Sequence, residues 1–302
     1  MSVDQLKDFI ARSGFDYIFD APMKNYTTLK IGGKADIIVQ PRSAQELAQL
    51  VAKAKEHSVP IYFMGNGSNI LVKDKGVRGM IVRFGANMAS TQIEGNVISA
   101  GAGISMARLA AIAAENSLTG FEFASGIPGT LGGGIVMNAG AYKGELKDVV
   151  IEATALCSDG SIAVLHKDSL DFSYRHSCFT GSDMLVLSAK LLLQKGKKEE
   201  IQGRIREFAQ KRRTTQPLEY PSAGSAFKRP NNGYAAAMID SCGLKGYCVG
   251  GAQVSQKHAG FVINRGNATA KDVIGLLTYV QKIVKEHFNT VLEPEIIIMG
   301  ED

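Results

Sequence analysis

Apolar and polar positions alternate in short bursts along this chain, and the period of the bursts changes. Residues 36–40 (DIIVQ), 61–64 and 80–84 are short apolar runs bounded by polar residues or glycine, the pattern of strands. Between the first two, Ser43 and Glu46 stand at capping-box spacing, and Leu47, Leu50, Val51 and Ala54 then recur at helical spacing. This predicts strand–helix–strand, with a glycine-rich loop before Met80. Residues 91–98 read as a hairpin turning at Glu94-Gly95-Asn96, and 105–116 as an alanine-rich helix. A second hairpin is expected from 149–157 and 161–165, and a further strand over 185–193. Helices mixed with antiparallel pairs predict a mixed α/β chain rather than a regular βαβ array.

The pattern breaks at residues 195–200 (KGKKEE), ahead of an expected basic helix over 201–213. Pro217, Pro221 and Pro230 follow, and then a smaller α+β region. Its best helix spans 269–288, with apolar residues at 273, 276, 277, 280, 283 and 284, and the last strand is expected over 295–299.

Composition narrows the class. The chain has 302 residues, enough for two domains, and with 45% hydrophobic and 21% charged residues it buries a core and is no disordered or fibrous segment. Its net charge of +5 can be located: residues 195–213 hold eight basic and three acidic side chains, so the rest is balanced. Phe208 is the lone aromatic of that stretch, which argues against a nucleic-acid surface. Two readings remain, a solvated helix face and a local site for a phosphorylated ligand. Cys157, Cys178, Cys242 and Cys248 show no CxxC spacing and read as reduced thiols. No apolar core of a signal peptide opens the chain and no run reaches membrane-spanning length, so a cytoplasmic location without membrane contact is expected.

Three glycine clusters carry the candidate chemistry. Gly101-Ala-Gly103 follows a strand and opens a helix, but Met106 stands where a dinucleotide-binding turn needs its third glycine. Gly65, Asn66, Gly67, Ser68 and Asn69 form a turn whose amides and side chains suit an anion. Gly126, Ile127, Pro128, Gly129, Thr130, Gly132 and Gly133, continuing to Asn138, Ala139 and Gly140, make an uncharged loop where backbone can lie against a large ligand. The five histidines sit in no metal-type or G-x-S-x-G setting, so neither a metal nor a hydrolase is expected.

In order, the chain reads KIGGKAD (30–36), GNGSNILV (65–72), GFEFASGIPGTLGGGIVMNAGAY (120–142), DFSYRHS (171–177), RRTTQP (212–217), PSAGSAFKRP (221–230), GLKGYCVGGAQVSQKHAGFVIN (243–264) and LEPEI (292–296). This ordered set resembles the UDP-N-acetylenolpyruvoylglucosamine reductases, flavoproteins of peptidoglycan precursor synthesis. The short stretch between Leu193 and Arg212 is similar to the lineage that lacks a tyrosine-bearing insertion. The resemblance implies a two-lobed FAD-binding domain of the vanillyl-alcohol-oxidase (PCMH-type) kind over residues 1–200, split near 85. A smaller α+β substrate-binding domain would span 201–302, with a final strand (about 290–302) that returns to the FAD lobe.

The same resemblance implies catalysis by Arg175 on the substrate carboxylate, by Ser225 as proton donor and by Glu295 beside the arginine. FAD would lie on the loops at 65–69 and 126–140, and the absence of histidine and cysteine there points to non-covalent binding. NADPH would be the co-substrate. Arg212, Arg213, Lys228, Lys257 and His258 are the expected contacts to a nucleotide sugar, with the chain acting as a monomer. Two positions depart from the family pattern: Ile297, where relatives often carry a charge, and Arg229, where many carry asparagine. The alternatives are an FAD-dependent oxidase of a hydroxy acid or sugar on the same fold, and a non-enzymatic nucleotide-sugar or RNA-binding module using residues 195–213.

Overall fold

The computed structural model describes residues 3–302, and the chain divides into two compact units that are discontinuous in sequence. The first comprises the chain up to Tyr17, Ile38–Asn66 and Ile81–Lys211; the second comprises Ile18–Ile37, Gly67–Met80 and Arg212–Asp302. Strands Asp16–Pro22, Lys34–Gln40, Val77–Arg83 and Ile61–Met64 form a sheet in that order.

A five-stranded antiparallel sheet organises the first unit, in the order Ile162–His166, Val150–Leu156, Leu185–Leu192, Val97–Gly101, Thr91–Glu94. Its register sets Ala153, Ala189 and Ala100 side by side across three strands, with Leu191 opposite Ile98, and all five are buried. Small side chains on that face let backbone approach closely. The segment Leu131–Val136 exploits this and forms a short helix where the sequence reads as a loop. Each glycine in a helix costs roughly 1 kcal/mol against alanine. Here packing overrides propensity, because a Cβ at Gly132 would lie 2.9 Å from that of Ala102, and one at Gly134 would lie 2.9 Å from Leu146 Cδ1. Gly101 and Gly103 are explained the same way: a Cβ on either would meet the carbonyl oxygen of Met88 or Gly85.

In the second unit Ser222–Ser225, Phe261–Asn264, Ala252–Val254 and Cys248–Val249 make an antiparallel sheet beside the helix Ala270–Phe288. Thr269 and Asp272 cap that helix reciprocally, and Val273, Leu276, Leu277, Val280 and Val284 are buried at the spacing expected from sequence. Each contributes on the order of 1.5–3 kcal/mol by leaving water. Leu29, Ile31 and Leu71 join the same core, and Ile297–Met299 pairs in parallel with Ile70–Val72.

Three local expectations change. The basic helix runs Lys198–Thr215 and so begins inside the expected break, where Glu199 and Glu200 suit a first turn. Ser43 accepts the Glu46 amide, but the Glu46 carboxylate binds the Arg42 amide at 2.8 Å, completing only half of the capping box. The last strand starts two residues late, at Ile297, which leaves Glu295 ahead of it.

Candidate active site

The first unit brings two expected cofactor loops together. Asn66 Nδ2 donates to the Pro128 carbonyl at 3.0 Å, and a Cβ at Gly65 would meet the Thr130 hydroxyl, which itself caps the short helix. The carbonyls of Ala124 and Gly129 accept from Ile127 and Met106 at 3.0 Å each, so acceptors along this stretch are consumed internally. Gly126, Pro128 and Gly133 stay exposed, and no acidic residue lies between 125 and 140. Backbone with several carbonyls already engaged and no acidic residue in the loop itself fits a flat, phosphorylated cofactor such as FAD. Ile127, Gly132, Ala139 and Gly140 shape the loop; Ala139 is buried and its amide bonds the Gly134 carbonyl. Asn138 is different. It is fully buried and its side chain is bonded within the unit, so any contact it makes to a cofactor is not through that amide.

Arg175 belongs to the same unit and sits in a two-residue turn. The backbones of Ser173 and His176 exchange hydrogen bonds at 3.2 and 3.3 Å, and Arg175 takes the left-handed φ of +55° at the third position. Its guanidinium lies 4.9 Å from the centre of the Tyr174 ring, and Asp171 approaches His176 at 3.3 Å.

Ser225 and Glu295 come together in the second unit. Gly224 has φ of +76° and open space around its missing Cβ. The register slips between Ser222, opposite Ile263, and Ser225, opposite Phe261, so this glycine makes a β-bulge that leaves Ser225 exposed. On the other side, Glu295 N–H donates to Ala226 O at 2.9 Å and Lys228 N–H to Glu293 O at 2.8 Å, with Phe227 paired to Pro294. The Gly260 carbonyl accepts from Ala226 at 2.8 Å, which brings the segment 258–261 alongside. Three sequence blocks that were widely spaced thus converge on one short ladder. Asn69 reinforces it: its Nδ2 donates to Glu295 O at 2.9 Å and its carbonyl accepts from Ile297 at 3.0 Å. Gly67 O accepts from Thr28 at 3.2 Å, and Ser68 between them is half-buried.

The expected cations are less alike than the sequence suggests. Lys228 is ion-paired with Glu293, and Lys257 Nζ donates to the Arg213 carbonyl at 2.7 Å with Glu219 at 3.7 Å. Burial pushes the His258 imidazole below its ordinary value, partly opposed by a backbone hydrogen bond and assisted by the Lys245 charge. Its Nδ1 accepts from the Gly260 amide at 3.1 Å, so the neutral ring carries its proton on Nε2. His258 is therefore a neutral hydrogen-bond donor at Nε2 rather than a cation. Arg212 is half-buried and Arg213 exposed at the end of their helix.

Sequence reasoning passed over Glu122 as a structural anchor. This carboxylate accepts from Thr119 Oγ1 at 2.7 Å and Gly120 N–H at 2.8 Å, and Arg204 Nη2 of the basic helix lies 2.9 Å away. Farther along that helix, Phe208 stacks on Tyr142 at 4.2 Å, while Lys211 pairs with Glu207. Within the basic stretch, Lys197, Arg204 and Lys211 are thus ion-paired. Burial alone would raise the Glu122 carboxyl, but these hydrogen bonds and the arginine charge outweigh it and hold it below the ordinary range. A depressed carboxyl contributes stability above its unfolded value and loses it as pH falls through the folded one. Glu122→Gln should cost about 2 kcal/mol at pH 7, the order of a charged hydrogen bond. In urea denaturation the gap to wild type should narrow below about pH 4.3; an equal gap at pH 7 and pH 3.5 would refute the charge account.

Comparison with known proteins agrees with this geometry. Residues 35–166 match the FAD binding domain family, and residues 216–299 match the family described as UDP-N-acetylenolpyruvoylglucosamine reductase, C-terminal domain. The UDP-N-acetylenolpyruvoylglucosamine reductase of Caldanaerobacter subterraneus subsp. tengcongensis is 48% identical over 299 residues, covering 99% of this chain and 98% of that protein. The crystal structure of the Thermus caldophilus UDP-N-acetylenolpyruvylglucosamine reductase superposes with a TM-score of 0.81 at 35% identity, covering 95% of this chain and 99% of that one. An alkyldihydroxyacetonephosphate synthase shares the fold alone, with a TM-score of 0.50 and 17% identity over 65% of this chain and 41% of its own. The fold is thus a mixed α/β FAD-binding fold, and the chain belongs to the UDP-N-acetylenolpyruvoylglucosamine reductase family.

Proposed function

We propose that this chain catalyses NADPH-dependent reduction of the enolpyruvyl group of UDP-N-acetylglucosamine enolpyruvate, giving UDP-N-acetylmuramate. FAD, when bound, supplies the two-electron chemistry between NADPH and the enolpyruvyl double bond. The observation that carries the reading is the ladder that sets Ser225, on its glycine bulge, beside Glu295. An oxidase of a simple alcohol needs no hydroxyl presented on a bulge whose next residue is tied through backbone to a glutamate-bearing segment.

The chain's own groups divide the remaining work. Arg175 binds the substrate carboxylate and stabilises the enolate that develops through it, since a guanidinium keeps its charge and offers a fork to both oxygens. Ser225 delivers the proton to C2, and Glu295 supports that charge balance from the adjoining segment ahead of the last strand. Arg212, Arg213, Lys228 and Lys257 supply positive charge toward the diphosphate, with His258 as a neutral donor. The glycine-rich loops hold FAD through backbone, and residues 201–302 bind the nucleotide sugar. The single chain serves as the working unit in the cytoplasm, where its four unbridged cysteines suit a reducing compartment.

Purified protein should be yellow. Under anaerobic conditions NADPH should bleach the flavin band, and the enolpyruvyl nucleotide sugar should restore it without oxygen. A flavin that only oxygen reoxidises would sink the proposal. The same protein tests the mode of attachment: with no histidine or cysteine in either cofactor loop, acid precipitation should release the flavin into the supernatant. Flavin left in the pellet would mean a covalent link.

A further inference from the structure

Arg175 is a non-glycine residue held at φ +55°, in the left-handed region that disfavours any residue bearing a side chain. Such a conformation persists only where its surroundings over-determine it. The surroundings are specific. Asn138, buried at 0% exposure, donates from Nδ2 to Ser173 O at 2.9 Å and to Glu145 Oε2 at 3.1 Å, and its Oδ1 accepts from Lys147 N–H at 2.9 Å. Both amide protons and one lone pair are thereby engaged. Ser173 O also accepts from His176, so the carbonyl at the base of the Arg175 turn is gripped twice. One residue past the turn, buried Ser177 donates its hydroxyl to Val136 O at 2.8 Å, and Thr180 donates to the same carbonyl at 2.9 Å. Val136 ends the short glycine helix and Asn138 lies two residues beyond it.

We propose that Asn138 is a positioning residue for Arg175: it anchors the carboxylate-binding turn to the end of the cofactor-loop helix, so that the guanidinium is pre-set before substrate arrives. This rests on the role given to Arg175 above. Asn138 itself adopts φ +43°, a conformation asparagine tolerates and glycine accepts freely, so Asn138→Gly removes the anchor without backbone strain.

The test compares Asn138→Gly, Arg175→Lys and the double variant in the flavin-loaded enzyme. Asn138→Gly should weaken binding of UDP-N-acetylmuramate, by calorimetry, about tenfold. It should also slow substrate-driven flavin reoxidation by on the order of 10²-fold, the scale of a small misplacement of a reacting group. Flavin content and the rate of reduction by NADPH should match wild type. In the Arg175→Lys background Asn138→Gly should add less than about twofold, because residues acting through one another are non-additive. Full additivity, or equal loss in the NADPH step, would overturn the proposal. If Arg175→Lys alone changes neither affinity nor reoxidation, the assignment of Arg175 has failed and this inference with it. If Arg175→Lys is impaired but Asn138→Gly is not, only the anchoring role falls. Should Asn138→Gly fail to fold, Ser177→Ala probes the other anchor, with the same split expected between half-reactions and the same outcomes overturning it.

Discussion

Arg175→Lys should slow reoxidation of the reduced enzyme by substrate by roughly 10²–10³-fold, the loss seen when one preorganised oxyanion donor is removed. Lysine keeps the positive charge, so a purely Coulombic role would survive the change. The expected loss comes from geometry: a planar fork meets both carboxylate oxygens at once, whereas an ammonium is a point donor on a flexible stem. The turn supports that reading. Its left-handed residue is Arg175, whose side chain runs over the Tyr174 ring at 4.9 Å, and the turn is fastened on both sides of its base. Reduction by NADPH should stay near normal, because that step does not involve the substrate carboxylate. Anaerobic stopped-flow at the flavin band separates the two. Equal loss in both half-reactions would mean that the substitution damages folding or the cofactor site instead.

How far the sequence reveals this site depends on the kind of physics involved. Period-two and period-3.6 patterns are local, and they located the strand Ile61–Met64, the hairpin around Gly95, the helix capped by Ser105 and the apolar face of Ala270–Phe288 with little error. Motif order marked Arg175, Ser225 and Glu295 as candidates. What escaped is non-local. The helix Leu131–Val136 forms because its glycines fit against Ala102 and Leu146, contacts that no window of sequence contains. The use of Asn138 as an internal anchor depends on Ser173, 35 residues away, and Asn69 reaches Glu295 across 226. Both asparagines read as ligand contacts because they stand in glycine-rich loops. Asparagine in such a loop serves equally to tie backbone together, and only the partner decides which. The Glu122–Arg204 pair, 82 residues apart, is of the same kind. Its sequence signal was an acidic residue inside an apolar block, FEFASG, where an ionised side chain needs a partner.

Ser225→Ala should produce the largest kinetic effect of any single substitution in the second unit. Carbon C2 of the enolpyruvyl group must gain a proton, and a hydroxyl is a weak acid, so it has to be delivered at short range and in a fixed direction. The glycine bulge provides the direction: Gly224 at φ +76° lifts Ser225 out of the regular ladder and leaves it exposed at the end of its strand. Alanine removes the proton while leaving the bulge, Glu295 and the Ala226–Gly260 hydrogen bond in place. NADPH should therefore reduce the flavin at close to the wild-type rate, and substrate should still bind. Reoxidation by substrate should fall by at least about 10³-fold, within the roughly 10²–10⁴ that general acids contribute. Ser225→Cys should recover part of that loss, because a thiol near pKa 8.5 gives up its proton more readily than an alcohol. The two variants together discriminate between roles. A turn residue would tolerate alanine, and a mere hydrogen-bond donor to bound substrate would show its loss in affinity, with little gain from cysteine. Anaerobic stopped-flow on each half-reaction reads the difference, and reoxidation of Ser225→Ala within tenfold of wild type would move the proton donor elsewhere.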